Sequence, residues 1–181
     1  MVSGCMKLTL DKKAFYTKLY KMLENVTPLT VDCGQLCDGA CCAVTDEITG
    51  MYLFPGEKVM YDPMPEWGEL HDIDFTYDGG KSVDLFTCPG KCDRSLRPLS
   101  CRIFPLVPYA KRGGELEIRM DIRGRGMCPL ATAMKPCDLD ALFVERVTMA
   151  MQLCMKVRDT REFIYSLSES IDQLKEDFYE L

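Results

Sequence analysis

Eight of the eleven cysteines in this 181-residue chain fall into three tight groups. They read Cys33-x3-Cys37-x3-Cys41-Cys42, then Cys88-x3-Cys92-x8-Cys101, then Cys128 before Pro129. Thiols grouped in this way close loops, through disulfides or through a bound soft metal. The odd count leaves at least one thiol unpaired in any disulfide scheme. The first residues, Met1-Val-Ser-Gly-Cys-Met-Lys, lack the charged-then-apolar layout of a secretory signal. The expectation is therefore a cytoplasmic location, where thiols stay reduced. Reduced thiols in such numbers are protected from oxidation when they bind metal.

Thiolate is the only abundant soft donor. The single histidine, His71, stands in an acidic segment expected to be a loop, far in sequence from every cysteine group. All-sulfur sites select zinc or iron–sulfur clusters, and four cysteines satisfy either. Zinc knuckles commonly use Cys-x2-Cys, a spacing this chain lacks. Cys-x3-Cys occurs instead at 33/37, 37/41 and 88/92. On a helix such a pair shares one face; in a loop with Gly34 and Gly39 it can wrap a larger cluster. Adjacent Cys41 and Cys42 point differently, so one ligates while the other packs, or each serves a different ion. Eight thiols fill two four-thiolate sites, or one site with auxiliary thiols, and spacing leaves both open. The radical-SAM pattern is excluded, since its third cysteine follows after two residues and Cys41 follows Cys37 after three. The barrel that usually carries that chemistry also needs roughly 200 residues or more.

The segment Cys92-Asp-Arg-Ser-Leu-Arg97-Pro98-Leu-Ser-Cys101-Arg102-Ile-Phe104-Pro105 follows the block 33–42 and precedes Cys128-Pro129. This combination resembles the YkgJ-type cysteine-cluster family, described as a zinc- or iron-chelating domain. Cys92, Arg97, Pro98, Cys101, Arg102, Phe104 and Pro105 match its Cys-x4-Arg-Pro-x2-Cys-Arg-x-Phe-Pro block position by position. The resemblance covers about residues 33–130. It implies metal binding by Cys33, Cys37, Cys41, Cys42, Cys88, Cys92, Cys101 and Cys128, with Arg97 and Arg102 hydrogen-bonding the sulfurs or serving in ion pairs. A branch with the same domain, the flagellin lysine N-methylase, implies an iron–sulfur cluster. This chain is short and shows no strand followed by a Gly-rich turn and helix for S-adenosylmethionine. The expected function is iron–sulfur (4Fe-4S) cluster binding with a redox or methyl-transfer-like modification role. The alternative is a structural zinc module that mediates protein interaction. No residue stands out as catalytic.

A net charge of −6 and a pI near 4.9 argue against a nucleic-acid partner, which requires a basic footprint. Basic residues do concentrate from Arg94 to Arg125, as partners for thiolates and nearby acids. No run of roughly 18 apolar residues suggests a membrane span. Outside the main groups, Cys137 follows Pro136 near an expected helix start, Cys154 lies on an apolar stripe, and Cys5 stands near the terminus. Asp38, Asp93 and Asp121 are expected as solvated loop acids, and Tyr109 and Trp67 as packing.

The expected fold is α+β, a single domain over 1–181 with a loop-rich cysteine lobe at about 33–130. An N-terminal helix over 11–26 would bury Phe15, Leu19, Met22 and Leu23. One or two β-hairpins are expected: strand 83–87 after the turn at Asp78-Gly79-Gly80-Lys81, and strands 103–110 and 115–122 around Gly113-Gly114. Tyr52-Leu53-Phe54 reads as a short strand. A helical pair over about 136–181 carries the stripes Leu139–Val157 and Phe163–Phe178, the second helix starting at Asp159-Thr160.

Overall fold

The computed structural model describes residues 10–43, 50–90 and 92–179, without the side chains of 178 and 179. Cys5 lies outside them. The fold is α+β, as expected, with helices packed on two small antiparallel sheets. Helix α1 (Lys12–Met22) starts at Asp11, whose side chain accepts from Ala14 N at 3.0 Å. It ends before the expected residue 26, and its buried face is Tyr16, Leu19 and Tyr20 rather than Phe15 and Met22. The tyrosines can face inward because their hydroxyls have partners: Tyr16 donates to Pro55 O and Tyr20 to the carboxylate of Glu57.

Strands β1 (Gly50–Tyr52), β2 (Glu69–Tyr77) and β3 (Lys81–Thr87) form one sheet in the order β1-β3-β2. The turn joining β2 to β3 uses Asp78, Gly79 and Gly80, all at positive φ. The strand expected at 52–54 is shifted towards the N-terminus, since Phe54 leaves the sheet to enter the core. At Gly50 an added Cβ would meet the carbonyl oxygen of Phe86 at 2.5 Å. Gly50→Ala is therefore expected to push β1 off β3 and lower stability by about 1–3 kcal/mol, read as a shift of the urea midpoint.

The second sheet is the hairpin β4 (Leu106–Tyr109) and β5 (Glu117–Met120), with Val107 opposite Arg119. Its first strand is shorter than expected because Ile103 closes helix α3 (Leu99–Ile103). Of two further short helices, α2 (Gly34–Cys37) ends on Cys37 and α4 (Pro129–Ala133) follows Cys128 at its N-cap. Helices α5 (Ala141–Lys156) and α6 (Arg158–Tyr179) are the expected C-terminal pair. Asp140 caps α5 by accepting from Phe143 N.

The main core joins α1, β4, α5 and α6. Phe143, Val147, Ala150, Met151 and Cys154 of α5 are fully buried, as are Phe163 and Ile164 of α6. Phe163 packs on Phe54, Phe75 and Tyr77 at centroid distances of 4.9, 6.0 and 6.2 Å. A smaller cluster of Leu53, Tyr61 and Phe86 sits under Trp67 and Cys88. Two residues of the basic stretch serve α6: Lys111 pairs with Asp172 at 3.9 Å, and Arg112 with Glu162 at 2.6 Å and Glu169 at 3.5 Å. Among the described residues, no helix is long and apolar enough to cross a membrane.

Candidate metal centre

Local backbone geometry presents the cysteines. Cys33 precedes α2 and Cys37 ends it; Asp38 and Gly39 then turn the chain through left-handed conformations into a 3-10 turn, Ala40–Cys42. Cys88 follows β3. Cys92 precedes Asp93, which caps a 3-10 turn, Arg94–Leu96, by accepting from Ser95 N and Oγ. Cys101 lies within α3, and Cys128 stands at the N-cap of α4. A cleft of about 140 Å³ is walled by Cys33, Cys37, Cys41, Cys101 and Cys128, together with Arg94, Arg97 and Arg102.

Electrostatics connects the remaining thiols to these. Burial raises the Cys33 thiol, and Asp32, Cys37 and Cys128 raise it further against Arg94. Burial also drives Cys101 well up, followed by the fields of Cys42, Cys92 and Cys88, with Arg97 opposing. Cys41 and Cys42 meet with Sγ atoms 3.9 Å apart. That contact, in which either sulfur can donate, lowers Cys42 to about 6 against the effect of burial, with help from Arg97. The same contact, then burial, holds Cys41 far above the usual thiol range. A lowered thiol favours the thiolate form that binds a soft cation.

Arg97 tests whether the site suits such a group. Burial disfavours its charge, but a hydrogen bond to Cys92 and the fields of Cys92, Cys42 and Cys101 outweigh burial and raise its pKa. Its buried Nε has no hydrogen-bond partner, alone among buried side-chain nitrogens and oxygens of the described residues. A buried donor without an acceptor is unfavourable. An anionic thiolate–metal group would provide the missing acceptor, so the donor set fits a soft metal. Arg102 behaves differently from the expectation that it serves sulfur. It donates to the carbonyls of Arg97 and Ser95 at 2.7 Å and lies 4.1 Å over the Tyr20 ring.

Convergence is partial. Among the described residues, no three Cys, His, Asp or Glu side chains stand close enough to close on one ion as they are arranged. His71 is on strand β2 rather than in a loop, where its ring bonds Thr87 Oγ1 at 3.0 Å. Cys137 is exposed in a 3-10 turn, Pro136–Asp138, and Cys154 is core. Asp121 is buried against Arg123 at 2.7 Å rather than solvated. Tyr109 bonds Asp172 at 2.8 Å, and Trp67 packs edge-on to Phe86.

One buried group was not anticipated. Glu57 is fully buried and accepts from Tyr20 Oη at 2.7 Å, Phe54 N at 2.8 Å and Leu99 N at 2.6 Å. It therefore ties α1 to the start of α3, two residues before Cys101. Burial pushes its pKa from 4.5 up to about 7, although the three hydrogen bonds pull it down. A raised pKa means that the folded protein holds this proton more tightly than the unfolded chain does. The resulting stability is complete below pH 4.5 and is lost as pH rises towards about 7. Its size is about 3 kcal/mol. Glu57→Gln, which cannot ionise, is expected to lack that slope when both proteins are unfolded in urea across this window.

Comparison of the chain with protein-family models, with curated proteins and with solved structures finds no match.

Proposed function

We propose that this chain is a cytoplasmic metal-binding protein of the YkgJ-type cysteine-cluster kind, and that the group it binds is an iron–sulfur cluster. The observation that carries the reading is that Cys33, Cys37, Cys41, Cys101 and Cys128, from three separate stretches of the chain, wall one cleft together with Arg97, whose buried Nε has no partner. When bound, a cluster supplies one-electron chemistry in support of a redox or methyl-transfer-like role. The protein's own contribution is to provide the cysteine sulfurs and to set Arg97 beside them against their charge. Arg94 acts likewise on Cys33.

A second reading, a structural zinc module that binds a protein partner, is favoured by Leu36. This side chain lines the same cleft yet is 67% exposed, and an apolar rim of that kind suits a protein contact. Iron, zinc and acid-labile sulfide, measured with a visible spectrum on untagged protein isolated without oxygen, separate the two. Iron with sulfide and broad visible absorption is the expected result. Zinc alone, in a colourless protein, would overturn the iron–sulfur reading in favour of the second.

A further inference from the structure

A second cavity, of about 510 Å³, opens between the three-stranded sheet, α3, the β4–β5 hairpin and α6. Its floor is core, since Phe54, Ile103, Leu106 and Phe163 are all buried. Its outer wall is Tyr52, Ile73 and Phe75, which are half-buried, and Met127, which is 42% exposed. Protein interiors leave few voids larger than a water molecule, and apolar walls left facing water are unfavourable. A chamber within about 300–1,000 Å³, with apolar and aromatic walls and few polar groups, has the build of a small-molecule site.

The few polar groups narrow what it can hold. The Ser100 hydroxyl is taken up by the carbonyl of Tyr52. The charged side chains of the wall are Asp121 and Arg123. Asp121 is 4% exposed and accepts from Arg123 N, Nε and Nη2 at 3.0, 2.9 and 2.7 Å. The two charges cancel, so the chamber has no net charge with which to hold an ion. A guanidinium has five N–H donors and no acceptor. Arg123 Nη1 donates no hydrogen bond among the described residues, and the guanidinium lies 5.3 Å from the centre of the Tyr52 ring. The chamber therefore offers a guest aromatic walls and a spare donor.

We propose that this chamber binds a neutral, mainly apolar organic molecule with an aromatic body and one acceptor oxygen, the oxygen taking a hydrogen bond from Arg123. Phe104 lines both the chamber and the cysteine cleft. Along α3, Ser100 and Ile103 line the chamber while Cys101 and Arg102 line the cleft. The guest thus lies across a shared wall from the cysteines. The inference goes beyond metal binding and does not rest on it.

The probe is prodan, a neutral naphthyl ketone dye whose emission moves to the blue in apolar surroundings, titrated into full-length protein as isolated without oxygen. A saturable blue shift at one equivalent is expected. Acetonaphthone, which keeps the ketone, should displace the dye about tenfold more tightly than ethylnaphthalene, which lacks it, because the hydrogen bond comes from a charged donor. Ile73→Trp, which fills the chamber, should weaken the dye about tenfold or more without lowering the melting temperature. Asp121→Asn combined with Arg123→Met keeps the wall uncharged, removes the donor, and should abolish the preference for the ketone. The wild-type titrations need no variant to fold. Absence of a saturable shift, or displacement by ethylnaphthalene as readily as by acetonaphthone, would overturn the proposal. So would a folded Ile73→Trp protein that binds the dye as tightly as the wild type.

Discussion

Cys101→Ala is expected to remove metal from the protein and to lower its melting temperature by about 10 °C or more, corresponding to about 4 kcal/mol. Cys101 is held within α3, between the buried residues Leu99 and Ile103. Helix α3 is fixed at its start by Glu57 and on its flank by Ser100, whose hydroxyl donates to the carbonyl of Tyr52. A metal at Cys101 would join this anchored helix to the other cysteine segments around the cleft, 33–41 and Cys128. Structural metal binding of this type is folding free energy, because the unfolded chain has no preformed site. Cys154→Ala is the matched control. Cys154 is fully buried in α5 and does not line the cysteine cleft. Its loss should cost about 1 kcal/mol through a small cavity and leave metal content unchanged. Equal metal content and equal melting temperature in wild type and Cys101→Ala would refute the role assigned to this thiol.

Glu57→Ala is expected to destabilise the protein by about 3–5 kcal/mol. Its carboxylate serves three donors, and two of them are backbone N–H groups that cannot move away. Each buried donor left without an acceptor costs about 1–3 kcal/mol. Relief of the burial of a carboxylate offsets part of this, most strongly above pH 7 where the group is ionised. Tyr20→Phe tests the same network more gently. It removes one donor and leaves Tyr61 donating to Leu96 O at 3.0 Å, so a loss of about 1 kcal/mol is expected. Urea unfolding of the three proteins gives the order directly. A Glu57→Ala variant no weaker than Tyr20→Phe would show that the carboxylate does not anchor α3.

The C-terminal helices were legible because nothing competes with their pattern: apolar residues recur at helical spacing and Asp140 precedes the first of them as a cap. The hairpin of β4 and β5 was legible from Gly113-Gly114 between alternating residues. Strand β2 was overlooked although Ile73, Phe75 and Tyr77 alternate along it, because Glu69, Asp72 and Asp74 made the segment read as a loop. Those acids have room there because the strand lies at the sheet edge, where one side faces solvent. Glu57 had no local signature at all. A glutamate after Pro-Gly reads as a first-turn acid, and its burial depends on Tyr20 and Leu99, which are distant in sequence. The cysteine groups were legible as groups, but the faces that Cys41 and Cys42 present depend on the left-handed turn at Asp38 and Gly39.

The most direct test of the central claim is X-ray absorption at the edge of whichever metal accompanies the protein when it is isolated without oxygen. An all-thiolate centre requires a first shell of sulfur alone, at about 2.3 Å. A shell dominated by nitrogen or oxygen, or protein that carries no metal, would contradict it.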